Sequence, residues 1–404
     1  MKIELMAPAG SYETLIAAIK AGADSVYFGV GNLNMRSRTA NFQIKDLKKI
    51  MTICKKNHVK GYLTLNTVMY DEDLQNVKKI ALLAKKNGVD AIIASDLSVI
   101  EFCNKNKIQV NISTQMNVSN FEAVKYFAKS ADVIILAREL TLKQIKNICN
   151  RIKKEKIIGP SGNLVKIEIF IHGALCVSIS GKCYMSLAQH NTSANRGACY
   201  QTCRRAYRVI DEHTGQELVV DNKYVMSPKD LCTINILDKI LKSGVSILKI
   251  EGRGRSPEYV SEVVKVYREA INDFSLNKVN GWISRLEKVY NRGFWFGGYY
   301  LGEKLGEWSG IYGSKSKVEK KYLGKVKNYY LKANVLYFKV ESYEFKQGDQ
   351  IVINGPTTGV LKFKVDSIFV DDKSVKIAKK GDLVTIKAPE KVRINDKIYL
   401  FMEA

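Results

Sequence analysis

Acidic side chains are in short supply. The 404-residue chain carries 40 Asp and Glu against 64 Lys and Arg, a formal net charge of +24. That balance favours a polyanionic partner, although lysine-rich genome bias or thermophily produces the same excess. Long apolar runs are missing too: none approaches the ~20 residues of a membrane span, so no membrane partner is expected. The start, MKIELMAPAG, lacks the apolar core of a secretory signal and reads as a strand entering a turn. The expectation is a cytoplasmic protein with reduced thiols. No Gly-x-Gly-x-x-Gly follows the first strand-like run, which removes the main support for a dinucleotide fold. His-Glu-x-x-His and Gly-x-Ser-x-Gly are absent, and His58, His172, His190 and His213 are the only histidines; zinc-peptidase and serine-hydrolase signatures are therefore missing.

What is present is alternation. Eight β-branched or aliphatic runs begin near Ile3, Ser25, Lys60, Asp90, Gln109, Asp132, Lys166 and Ser246, most of them separated by amphipathic segments of helical period. SYETLIAAIKAG has Ser11 as a candidate N-cap, and SPEYVSEVVKVYREAI has Pro257 in its first turn. Eight such units predict a TIM-like (β/α)8 barrel over residues 1–275. Polar residues share a phase at strand ends: Tyr62, Thr64 and Asn66; Asn111, Ser113 and Gln115; Glu168, Phe170 and His172; Lys249 and Glu251; with Arg138 and Glu139 closing the sixth run. Barrel active sites are built at these carboxyl ends, although loops beginning there give the same pattern. Between the seventh and eighth strands an insertion at about 174–235 breaks the spacing. Residues 276–317 are rich in Gly and aromatics and read as a linker or cover. From 318 to 404, short alternating runs punctuated by turns predict a small all-β barrel. Residues 315–404 alone hold 19 Lys/Arg and 11 Asp/Glu, so the positive charge is not confined to a tail.

Eight cysteines divide into two groups. Cys54, Cys103 and Cys149 fall on apolar helical stripes and read as small buried hydrophobes. Cys176, Cys183, Cys199, Cys203 and Cys232 lie in the one insertion, beside Gly173, Gly181 and Gly197. Only Cys199 and Cys203 approach zinc-finger spacing, and irregular thiolates also suit an iron–sulfur cluster, so spacing leaves cluster, zinc and no metal all open. Gly173-Ala-Leu-Cys176 sets a thiol near His172, which keeps a Cys–His dyad in play.

The stretch from Glu168 through His172-Gly173-Ala-Leu-Cys176 to Gly181-Lys-Cys183-Tyr-Met-Ser186 resembles the signature of the U32 collagenase-like peptidase family. Met6-Ala7-Pro8-Ala9-Gly10, Tyr27-Phe28-Gly29, Ser113-Thr114-Gln115, Ala137-Arg138-Glu139, Asn195-Arg196-Gly197-Ala198-Cys199 and Lys249-Ile250-Glu251-Gly252-Arg253 agree with it. The resemblance covers roughly residues 1–275 and is nearest to the branch that hydroxylates the wobble uridine of tRNA. It implies an enzyme with a [4Fe-4S] cluster, oxygen-independent 5-hydroxyuridine formation and prephenate as co-substrate. The ligands it implies are Cys176, Cys183, Cys199 and Cys232, with Cys203 as an alternate. Peptidase activity, hydroxylation of ribosomal RNA or of a quinone precursor, and a non-catalytic partner-binding module are the competing expectations.

On this reading Glu168, His172 and Glu139 are candidate acid–base groups. Arg138, Lys249, Arg253, Gln115, Asn66 and Arg36 would bind a small acidic metabolite, with Arg38 and Asn41 as weaker candidates; Arg forks suit carboxylates. The alternative for the charged ones is a structural ion pair. Arg196, Arg204, Arg205 and Arg208, interleaved with Tyr200 and Tyr207, would contact tRNA phosphates and bases. A homodimer or a heteromeric partner subunit is compatible with the sequence.

Overall fold

The computed structural model describes residues 2–218, 222–302 and 307–403. Eight parallel strands form a closed barrel: β1 (Glu4–Pro8), β2 (Ser25–Phe28), β3 (Lys60–Leu65), β4 (Ala91–Ala94), β5 (Val110–Ile112), β6 (Val133–Ile135), β7 (Lys166–Gly173) and β8 (Ile247–Ile250). Each pairs with the next, and β8 closes the ring between β7 and β1. Inside lie Met6, Tyr27, Tyr62, Ile93, Val133, Ile135, Phe170 and Ile247. Their neighbours in each strand, such as Leu63, Leu65, Ile167 and Ile169, face outward onto the helices, as the two-residue period of a strand requires.

Local chemistry explains the helical layer. Ser11 caps Tyr12–Lys20 through a reciprocal pair of hydrogen bonds with Thr14, and Thr141 does the same with Gln144 for Leu142–Lys154. In the latter helix Ile145, Ile148, Cys149 and Ile152 form the buried stripe, each isoleucine contributing about 1.5–3 kcal/mol on burial. Cys54 and Cys103 sit on equivalent stripes.

Strand β7 is the longest in the barrel, and its end runs past the ring. There His172 and Gly173 pair antiparallel with Cys232 and Leu231 of the strand Asp230–Cys232, which in turn pairs with Phe294–Phe296. The aromatic stretch after residue 276 thus packs on the barrel. The helix Leu276–Leu286 lies on Pro257–Asn272, Trp295 is buried, and the Tyr300 hydroxyl donates to the Phe170 carbonyl at 2.5 Å.

Residues 318–403 form an eight-stranded antiparallel sheet around its own core of Leu323, Phe338, Ile351, Ile353, Val384 and Ile398. It docks on the first and last barrel helices. Gly359 is in the left-handed region (φ +70°), and a Cβ there would lie 2.9 Å from Ile16. Glu258 on the last helix receives Lys320 at 2.8 Å and the Asn354 amide at 2.5 Å.

Candidate functional site

A cavity of about 190 Å³ opens at the carboxyl ends of the barrel strands. The loops after β2, β6, β7 and β8 and the insertion wall it. Cys176, Cys183, Cys199 and Cys203 all line it. Gly197 (φ +88°) makes this convergence possible: a Cβ there would lie 2.1 Å from the Asn34 carbonyl, so only glycine lets the Cys199 loop close on the loop after β2. Burial pushes the Cys203 thiol up to about 11, with the neighbouring thiols adding to the effect; burial likewise raises Cys176.

Cys232 is not among these walls. It is fully buried, and its Sγ faces the Tyr267 hydroxyl at 4.0 Å. Of the four cysteines expected as ligands, Cys176, Cys183 and Cys199 share the cavity with the alternate, Cys203, and Cys232 does not. His172 moves with it. The β7–β8 register slips between Lys249 and Ile250, leaving Ile171 as an extra residue in β7, so His172 pairs with the outward-facing Ile250. The bulge inverts the inward phase expected from Glu168 and Phe170. The imidazole packs against Tyr259, Tyr267 and Phe294 at ring separations of 5.5–6.0 Å. Burial lowers its pKa to about 3, and the Arg255 charge adds to the effect. His172 therefore faces away from the cavity that Cys176 lines, and the expected dyad is not assembled.

Two other expected contacts are enclosed in the barrel. Lys249 and Glu168 pair at 2.8 Å with side-chain exposures of 4% and 0%, and Lys249 rests over the Tyr27 ring at 4.3 Å. Burial raises Glu168 and lowers Lys249, each opposed by its partner. Arg253 is 5% exposed and donates to Asn34 Oδ1 at 2.6 Å and Thr64 Oγ1 at 3.2 Å. These two cations are enclosed in the barrel interior and do not line the cavity.

Arg138 is placed differently. It lies over the Phe170 ring at 4.4 Å and donates one Nη1 bond to the Ala174 carbonyl at 3.1 Å. Its Nε and Nη2 are buried without a partner among the described residues. An unsatisfied buried guanidinium costs stability unless a ligand completes it. Arg36 lines the same cavity and pairs with Glu251 at 2.6 Å. Burial pushes Glu251 up, but Arg36 and Arg255 outweigh it and hold the carboxyl below its ordinary value. Asn66 and Gln115 form a side network: Asn66 Nδ2 donates to Gln115 Oε1 at 3.1 Å, and Gln115 Nε2 to Ser180 Oγ at 3.3 Å. Glu139 is exposed beside Arg138.

Of the expected RNA-binding arginines, two are engaged internally. Arg204 is 8% exposed, donates to Ser227 and to the Pro228 and Leu175 carbonyls, and lines the cavity. Arg196 pairs with Asp73 at 2.6 Å and covers the Tyr70 ring. Arg205 and Arg208 are exposed. Tyr200 is sandwiched between Arg38, 3.3 Å from its centroid, and His190, stacked at 4.3 Å.

Sequence reasoning missed Arg255 and Arg292, which complete the cationic lining. Arg255 stacks on Tyr290 at 3.6 Å, and Arg292 pairs with Asp230 at 3.4 Å. The signal for Arg255 was available: it follows Arg253 by two residues in the loop after β8.

The fold and this site define a (β/α)8-barrel protein in which an insertion after the seventh strand brings four thiols among arginines at the carboxyl ends of the strands. The Peptidase family U32 model matches residues 10–310, and the chain belongs to that family. It is 50% identical over 404 residues to a protein named collagenase from Porphyromonas gingivalis, covering 98% of this chain and 97% of that one. It is 30% identical to tRNA hydroxylation protein P1 of Bacillus subtilis, covering 98% and 93%. It is 34% identical to the 23S rRNA 5-hydroxycytidine C2501 synthase of Escherichia coli, covering 67% of this chain and 39% of that one. No helix among the described residues is long and apolar enough to cross a membrane.

Proposed function

We propose that this protein hydroxylates RNA, forming 5-hydroxyuridine at the tRNA wobble position without O2, with a [4Fe-4S] cluster held by Cys176, Cys183, Cys199 and Cys203 and with prephenate as co-substrate. The observation that carries the reading is the gathering of these four thiols on one arginine-lined cavity while His172 faces elsewhere. The thiols share walls without closing on a single point: no group of three or more His, Cys, Asp or Glu among the described residues sits at ion-ligating geometry. Four thiols on one wall are a donor set that an iron–sulfur cluster would use, as a tetrahedral zinc site also would. The cluster would supply one-electron chemistry. The protein's own part is to hold a small acid through Arg138, whose free donors match a carboxylate fork, and to keep the site cationic through Arg36, Arg38, Arg255 and Arg292.

The names of the more similar relatives favour a second reading, proteolysis. One comparison separates the two. Anaerobically reconstituted protein should contain about four iron per chain, and tRNA from a deletion strain should lack 5-hydroxyuridine. Unchanged tRNA, together with gelatin cleavage by the iron-free protein, overturns the proposal in favour of the peptidase.

A further inference from the structure

Beside the thiol cavity lies a second chamber of about 470 Å³. It is walled by Thr114, Asn117, Arg138, Glu139, Cys176 and Tyr299. The two spaces share Arg138 and Cys176, so the second chamber adjoins the reactive one. Its volume falls in the ~300–1,000 Å³ range of small-molecule sites.

We propose that this chamber is the seat of the target nucleobase, and that the thiol cavity takes the acidic co-substrate. The inference rests on the RNA reading above. Charge separates the two reactants. The thiol cavity is lined by six arginines and one carboxylate, Glu251, which suits an anion. The second chamber has one arginine, Arg138, offset by the carboxylate of Glu139, which suits a neutral polar ring.

The remaining groups match a pyrimidine edge. The half-buried Asn117 amide offers a donor and an acceptor, and the exposed Glu139 carboxylate, whose charge acts on the Tyr299 hydroxyl, adds further acceptors. Uracil presents an N–H between two carbonyls, and cytosine an amino group beside a ring acceptor; an amide and a carboxylate can address either. Tyr299, half-buried and edge-on to Trp295 at 4.7 Å, supplies a ring against which an unstacked base can lie. Asn117 adopts a left-handed conformation (φ 53°), which asparagine tolerates better than most residues. A base everted from an RNA loop would enter this chamber and meet the shared wall.

The test uses the full-length, anaerobically purified protein and an RNA stem-loop carrying photoreactive 4-thiouridine at the wobble position. Irradiation followed by peptide mapping should place the cross-link on residues 114–117, 176–180 or 299. Tyr299→Leu should reduce that cross-link about tenfold through lost stacking, with iron content unchanged. Asn117→Gly removes the amide without backbone cost, and Glu139→Gln is surface-accessible; each should also lower it. A cross-link mapped elsewhere, or one insensitive to all three variants, overturns the chamber assignment while leaving RNA binding intact. Failure of the RNA to bind at all overturns the functional reading, and the assignment with it.

Discussion

At Cys232 the chain places a thiol where no external ligand reaches it. Its strand partner is His172, and residues opposite each other on antiparallel strands share a face. Both therefore point at Tyr267. Burial pushes the Cys232 thiol up to about 12, as expected for a small core hydrophobe. Cys203 stands on the thiol cavity beside Cys199. Spacing could not separate these two candidates, because distance along a chain carries no information about where a side chain points. Single substitutions do separate them. Cys203→Ser should lose most of the iron after anaerobic reconstitution. Cys232→Ser should keep it and lose about 1 kcal/mol of stability, through the weaker burial of a hydroxyl. The opposite result would return Cys232 to the ligand set.

The strands and helices were readable because each satisfies one period. The eight strand starts expected from sequence fall within a residue of those observed, since inward and outward residues alternate cleanly from Met6 to Phe170. The alternation fails where a bulge interrupts it. Ile171 is an unremarkable aliphatic residue, and nothing in its identity announces that it shifts the register and turns His172 outward. Arg292 was hidden for another reason: it reaches the cavity from a segment far along the chain, through tertiary packing.

The seam between barrel and β domain was equally invisible, since Glu258, Lys320 and Asn354 are far apart in sequence. Its consequence is measurable. Burial pushes Glu258 up, but Lys320 and the hydrogen bonds from Lys320 and Asn354 outweigh it, so its pKa lies below the ordinary 4.5. A carboxyl depressed on folding stabilises fully above its unfolded pKa and loses that contribution as pH falls through the folded value. Glu258→Gln should therefore cost about 2 kcal/mol at pH 7. The gap between variant and parent in chemical denaturation should narrow as pH drops below 4.5. A gap independent of pH would show that the seam is held by packing alone.

The net charge of +24 gains a location from the fold. Several arginines are consumed internally: Arg204 by carbonyls, Arg196 by Asp73, Arg253 by the barrel interior. The cations left for a polyanion are largely surface lysines. On the outer face of the β domain, Lys325, Lys327, Lys339 and Lys387 are all exposed, and half-buried Tyr337 lies among them across paired strands. Such cations neutralise phosphates and release counterions, so tRNA affinity should fall steeply with salt, by about 10³-fold or more between 50 and 200 mM if six or more phosphates are engaged. Lys339→Glu combined with Lys387→Glu should flatten the log–log slope by about two and weaken all RNA sequences alike, because phosphate contacts carry no base information. Iron content and the cross-link at the second chamber should not change per RNA bound, since the substitutions touch neither cavity. A salt-insensitive affinity, or a double variant with the parent's slope, would remove the β domain from the RNA path. The lysines would then be a solubilising coat, and the barrel mouth alone would have to select its substrate.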